Sequence, residues 1–352
     1  MLTLRQQIGQ MLIMGFNGLT IDSDSSVVKW LTGDGLGGVI LFDKDVANNT
    51  LQKNLVSIKQ IIKLTEQLKY YASYNSIDSE LPLFIGIDYE GGAVDRLKNV
   101  VNCPLTSAPE QMAKLPQQHF IEQARQMASI LQHLGFNLNF APLVDLNLKK
   151  DEGIIGKLGR CFSADPKIVV NYAKLFVNVF ANYAITCCYK HFPGHGSAVG
   201  DTHKNFVDVT DTFQEEELYP YSVLATQPLP VMVMTAHVIN RHLDPSGLPA
   251  TLSKLILTGL LREKFGFKGV IISDDLQMHA ISQYYSLEER LCLTINAGAD
   301  MLIFANQLGS HDAVEIIDII ERLVIEKAIP LARITESYHR IKHLKQAKLV
   351  TV

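Results

Sequence analysis

Eight short apolar runs, separated by longer stretches with helical periodicity, restrict what this chain can fold into more than any other feature. The runs are Met11–Phe16, Gly38–Phe42, Leu83–Asp88, Leu138–Asp145, Ile185–His191, Val231–His237, Val270–Asp274 and Met301–Ala305. Most are almost continuously apolar, the pattern of a strand buried on both faces, as in a parallel sheet. Between them, Leu51–Tyr71, Phe120–Leu134, Pro166–Tyr183, Lys254–Phe265 and Leu287–Ala297 carry apolar residues at helical spacing. Asp165-Pro166 and Ser286 read as helix starts, and Gly135, Gly266 and Gly298 as stops. The expected fold class is α/β, a single closed (β/α)8 barrel of TIM type over residues 1–352, with 312–345 as an outer C-terminal helical segment. An open doubly wound sheet is the alternative that alternation alone leaves standing. The polar residues favour the barrel: Asp88, Asp145, His191, His237 and Asp274 each close a different strand, and in a barrel those ends share one mouth.

With 352 residues, 47% of them hydrophobic, the chain can bury a large core. A net charge of −4 and a pI near 6.3 supply no basic field, so no nucleic-acid partner is expected. The start, Met1-Leu2-Thr3-Leu4-Arg5-Gln6-Gln7, turns polar before a signal-peptide core forms, and no apolar stretch is long enough to span a bilayer. A soluble, cytoplasmic protein with no membrane partner is therefore expected. Five cysteines make an odd count, and Cys187 and Cys188, adjacent in one strand, point to opposite faces; they read as small buried thiols.

The densest chemistry lies in Lys190-His191-Phe192-Pro193-Gly194-His195-Gly196, with Asp201-Thr202-His203 close behind. This segment follows the apolar run Ala184–Tyr189, so it is a polar loop leaving the C-terminal end of a strand, where α/β proteins hold ligands. Histidines hydrogen-bonded within a rigid turn are the bland alternative. His191, His195, Asp201 and His203 are possible zinc donors, but their spacing fits no metal motif, and no metal is expected. Gly33-Asp34-Gly35-Leu36-Gly37-Gly38 satisfies G-x-G-x-x-G, yet it precedes a strand, whereas a dinucleotide loop must follow one. There is no G-x-S-x-G elbow and no phosphate loop.

Two strands end in paired acids. Asp88-Tyr89-Glu90 precedes Gly91-Gly92, a pair that lets the backbone turn sharply. Asp274 and Asp275 are adjacent, so only one should face the mouth; Asp274 takes that place and Asp275 is expected to cap the next helix. A carboxylate there, opposite a histidine oriented by an aspartate, supplies a nucleophile and a proton donor for acetal cleavage.

Several motifs then stand in one order: Asp88-x-Glu90-Gly91-Gly92-x-Val94-x-Arg96, Asn139-Phe140-Ala141-Pro142-x-x-Asp145, Leu158-Gly159-Arg160-Cys161-Phe162 and the histidine loop. Leu248–Ser253 and Gly266-Phe267-x-Gly269 through Asp274-Asp275-Leu276-x-Met278 complete the set. From about Gly9 to about Asn306 the chain resembles the family-3 glycoside hydrolases, in particular the bacterial β-N-acetylhexosaminidase branch of cell-wall recycling. The resemblance implies a catalytic nucleophile at Asp274 and an Asp201–His203 dyad whose histidine is the acid/base, with Asp201 favouring its imidazolium form. It also implies that Asp88, Arg160, Lys190 and His191 hold sugar hydroxyls with Arg96 near them, and that His195 holds the loop. A cis bond at Phe192-Pro193 or its neighbour is implied as well, below a loop tip, Ser197–Gly200, that is too small to pack. The chain departs from the family pattern at Ala93, where an arginine is common, and at Asp43-Lys44-Asp45, which replaces a more usual Arg-Asn.

The expected activity is that of a retaining exo-β-N-acetylglucosaminidase, acting on N-acetylglucosaminyl-anhydromuramic acid with or without peptide, needing no cofactor. Its expected partner is this small carbohydrate, and the expected state a monomer or weak homodimer. A β-glucosidase or glycoside phosphorylase on the same scaffold, or a catalytically silent sugar-binding barrel, are the alternatives.

Overall fold

Eight parallel strands close into a barrel in the computed structural model, which describes residues 2–74, 81–150, 152–199 and 207–347. They are β1 Leu12–Gly15, β2 Gly38–Ile40, β3 Phe84–Ile87, β4 Leu138–Asn139, β5 Thr186–Phe192, β6 Val231–Thr235, β7 Val270–Asp275 and β8 Met301–Phe304. Each pairs with its neighbours in sequence, and β1 closes the ring by pairing with both β2 and β8. The open doubly wound sheet is thereby excluded. All strand residues are buried except Asp274 and Asp275, so the only water-facing positions in the strands are the two acids that end β7.

Local chemistry accounts for the helices. Asp165 accepts from Lys167 N at 2.8 Å and starts Pro166–Ala181, while Ser286 and Glu289 form a reciprocal cap on Leu287–Ala297. Gly135, Gly266 and Gly298 follow their helices with positive φ, the stop signal that was expected. The last two helices, Ala313–Ile325 and Leu331–Gln346, contribute Ile316, Ile320, Ile334 and Ile341 to the same hydrophobic cluster as the barrel.

Three elements differ from expectation. The ladder of β4 stops at Asn139 because Pro142 has no N–H to donate, and the side chain of Asn139 instead exchanges hydrogen bonds with the backbone of Tyr89. The helix expected from Leu51 begins at Ile58, since Lys44–Asp45 and Thr50–Leu51 pair as a hairpin with Asn49 and Gln52 at positive φ. The segment Leu255–Lys264 winds as a π-helix.

Below the barrel, the fully buried Asp300 ties the last helix to the strands. Its carboxylate accepts from Arg333 at 2.6 Å, Arg340 at 3.1 Å, Ile271 N at 2.9 Å and also from Arg262. Removing one partner of such a cluster strands the rest as uncompensated charge. Asp300→Ala is therefore expected to lower unfolding free energy by about 3–5 kcal/mol; a denaturant midpoint that does not move would refute the role given to Asp300.

Candidate active site

At the C-terminal ends of the strands lies a cavity of about 260 Å³ whose walls include Asp88, Arg96, Arg160, Lys190, His191 and Asp274. Six of the eight expected site residues are thus brought together. The other two, Asp201 and His203, lie outside the described residues.

The cavity is organised by Glu90, an acid absent from the expected site. Beyond Asp88 the backbone runs through Tyr89 and Glu90 into Gly91 and Gly92, both at positive φ, and returns along Val94–Asp95. A Cβ on Gly91 would stand 2.4 Å from Ser107 O, so this turn requires glycine. It places Glu90, 2% exposed, beneath the fork of Arg160, whose Nε and Nη2 each donate at 2.8 Å. Lys190 Nζ, from β5, stands 2.7 Å from the same carboxylate and 3.2 Å from Asp88. Arg96 lies 3.6 Å from Asp88 and 3.8 Å from Asp43. Burial opposes the ionised form of Glu90, but Arg160 and Lys190 together outweigh it and hold the carboxyl down at about 2. Burial likewise disfavours the Lys190 ammonium, and Glu90 with Asp88 turn the balance upward.

A second carboxylate holds the histidine loop. Asp145, buried, accepts from His191 N at 3.1 Å, from His191 Nδ1 at 2.8 Å and from His195 N at 2.9 Å. Burial works against its charge, and His191 with these donors brings its pKa below the usual carboxylate value. The backbone N of His195 belongs to this clasp, whereas its side chain lines the cavity. Burial, reinforced by the neighbouring His191, depresses the His195 imidazole to about 4, so it is neutral at ordinary pH.

The peptide bonds Phe192-Pro193 and Lys190-His191 are both cis, as is Ala141-Pro142, which agrees with the expected loop base. The expectation for the tip is corrected: Ser197 and Ala198 are buried, because the small Ala198 methyl fits among Val207, Val209, Ala236 and Val238. Val199 is exposed, and Gly200 lies outside the described residues.

The expectation that only one of Asp274 and Asp275 faces the mouth is also corrected. The register between β7 and β8 shifts between Ile272 and Asp275, and both acids line the cavity. Asp275 does not cap a helix. Its Oδ1 accepts from Gln277 N at 3.1 Å and from Ala305 N at 3.2 Å, and its N donates to Asp274 Oδ1 at 2.8 Å. His237, the strand-end histidine of β6, donates from Nε2 to the Asp275 carbonyl at 3.0 Å. Lys44 and Gln307, neither expected at the site, also border the cavity, with Gln307 bonded to Lys44 O and Val46 N at 2.9 Å each.

The carboxylates and cations gather at the C-terminal mouth of the barrel, the face on which (β/α)8 enzymes carry their active sites. Residues 3–344 match the family described as Glycosyl hydrolase family 3 N terminal domain, and the chain belongs to that family. It is similar to beta-hexosaminidase A of Pseudoalteromonas piscicida, 34% identical over 284 residues, 76% of this chain but 45% of that protein. Similarity to a beta-hexosaminidase of Xylella fastidiosa is 32% over 311 residues, 86% of this chain and 85% of the other. Among solved structures, a family 3 β-N-acetylglucosaminidase from Paenibacillus sp. superposes with a TM-score of 0.86 at 32% identity, covering 99% of this chain and 63% of that one.

Because Glu90 is held near 2 against its ordinary 4.5, its ionised form stabilises the fold fully above pH 4.5, and that contribution disappears as pH falls towards 2. Glu90→Gln should accordingly be less stable than the parent at neutral pH by about 2–3 kcal/mol, with the gap narrowing below about pH 4. Chemical denaturation at several pH values measures this, and a gap independent of pH would show that Glu90 is not the depressed acid.

Proposed function

We propose that this chain is a retaining exo-β-N-acetylglucosaminidase that releases terminal N-acetylglucosamine from peptidoglycan fragments, with Asp274 as nucleophile and Asp201–His203 as acid/base dyad. The observation that carries the reading is Asp274 at the end of β7, lining one cavity with Asp88, Arg160, Lys190 and His191. The relatives, beta-hexosaminidases and a β-N-acetylglucosaminidase, support the hexosaminidase part of this reading.

In this reading Asp88, Arg160, Lys190 and His191 bind the hydroxyls of the terminal sugar, with Arg96 beside them. Asp274 attacks the anomeric carbon to form a glycosyl ester as the glycosidic C–O bond breaks, and His203 gives its proton to the leaving oxygen. Water, deprotonated by the same histidine, then attacks the anomeric carbon and releases the sugar with Asp274 free again. Asp201 accepts from one ring nitrogen and leaves the other for the substrate. Two displacements at one carbon retain configuration. The aglycone in this proposal is anhydromuramic acid with or without peptide. The setting is the cytosol, on the odd cysteine count and the adjacent buried thiols Cys187 and Cys188.

Proton NMR of the first-formed sugar should show the β-anomer, and initial α-product would sink the covalent mechanism. Asp274→Ala should lose nearly all activity on N-acetylglucosaminides, whereas Asp275→Ala should act through stability, because its carboxylate holds the β7–β8 junction. Formation of a sugar 1-phosphate when phosphate is added would replace hydrolysis by phosphorolysis.

Removing the acid should matter most for a poor leaving group. His203→Ala is expected to slow an alkyl or sugar aglycone by ~10²-fold or more, and a nitrophenyl one far less. Equal losses on both would move the acid/base role to another residue.

A further inference from the structure

Glu217 is buried, 1% exposed, and it stands outside the cavity wall. It occupies the short helix Glu215–Leu218, and one carboxylate oxygen, Oε1, serves that helix by accepting from Gln214 N at 3.3 Å. An acid that only capped its helix would need no more. Its other oxygen, Oε2, is given to the histidine loop, accepting from Gly196 N at 2.8 Å and Ser197 N at 3.2 Å. With Asp145 accepting from His195 N, three successive backbone N–H groups of this loop are held by two buried carboxylates.

The fit is close on every side. A Cβ on Gly194 would meet Glu217 Cβ at 2.7 Å, and one on Gly196 would stand 1.9 Å from Leu146 O. The returning chain is fixed as well, since Val207–Asp208 pairs with Val238–Ile239, and Val207 packs in the cluster that holds Ala198. Ala198 and Val207 thus pack in one small hydrophobic cluster, and Glu217 holds the two residues before Ala198.

We propose that Glu217 is a positioning residue for the acid/base histidine: by fixing Gly196 and Ser197 it sets the origin of the chain that reaches Asp201 and His203. The inference rests on the reading of His203 as proton donor. Ser197 is six positions before His203 in the sequence, so an error in its direction is carried into the proton-transfer geometry, where about 1 Å of misplacement costs on the order of 10²-fold.

The test measures kcat and KM of Glu217→Ala, Glu217→Gln and His203→Ala on a nitrophenyl and an alkyl N-acetylglucosaminide. In Glu217→Ala, kcat should fall by ~10²-fold on the alkyl substrate but by less than ~5-fold on the nitrophenyl one, with KM little changed. Glu217→Gln, whose amide oxygen still accepts from the loop, should show the same split at smaller size; if the alanine variant does not fold, the glutamine variant alone decides. A loss equal on both substrates in the Glu217 variants, beside a clear split in His203→Ala, overturns the positioning role and leaves the histidine assignment standing. No split in His203→Ala removes the acid/base reading and this inference with it.

Discussion

A carboxylate taken out of water costs several kcal/mol unless donors or cations replace its hydration, and the upper half of this molecule is arranged around meeting that demand. Glu90, Asp145 and Glu217 are almost wholly buried, and each is satisfied in a different way. Glu90 takes a guanidinium fork and an ammonium. Asp145 takes two backbone N–H groups and an imidazole. Glu217 takes backbone donors from its own helix and from the loop. The donors come from segments far apart in sequence, so each acid fixes the position of a loop that would otherwise lie on the surface with nothing to specify it.

The same pairing decides what the cavity is suited to hold. Asp43, Asp88 and Glu90 face Arg96, Arg160 and Lys190, so the formal charges of that cluster cancel. A wall of paired ions presents strong donors and acceptors without a large net field. A neutral polyol can bind by sharing those hydrogen bonds, whereas an anion would have to compete with carboxylates already in place. Donors and acceptors already in place suit a neutral hydroxylated ligand, since they require little rearrangement to bind it.

The barrel was legible because its signal is repeated: eight apolar runs alternating with helical stretches leave few other folds, and six of the runs contain the corresponding strand while β5 and β7 each extend one residue past theirs. Rim residues such as Asp88 and Lys190 were legible for a related reason, since a charged residue at the end of an apolar run has no structural excuse there. What escaped depended on contacts between distant segments. Glu90 reads as one more loop acid until Arg160, 70 positions away, is seen to lie over it. Glu217 sits in the run Glu215-Glu216-Glu217, and nothing in that triplet says which member turns inward. The helical pattern read from Leu51 overran the end of the hairpin Lys44–Leu51, whose positive-φ positions Asn49 and Gln52 no helix accommodates.

The end of β7 shows why a period-two rule fails where chemistry is placed. Strict alternation would turn one of two adjacent acids away from the mouth, but the register shift against β8 gives the strand an extra residue there and brings both round. The two do not become equivalent. Asp275 is drawn into the backbone, accepting from Gln277 N and Ala305 N with its side chain while its carbonyl receives His237. Those bonds reach β6 on one side and the end of β8 on the other, so the position of Asp275 is set from two neighbouring strands. Asp274 is attached to it by one peptide bond and by the hydrogen bond from Asp275 N to Asp274 Oδ1. The acid with the structural bonds thus acts as the mount that fixes where Asp274 stands on the cavity wall.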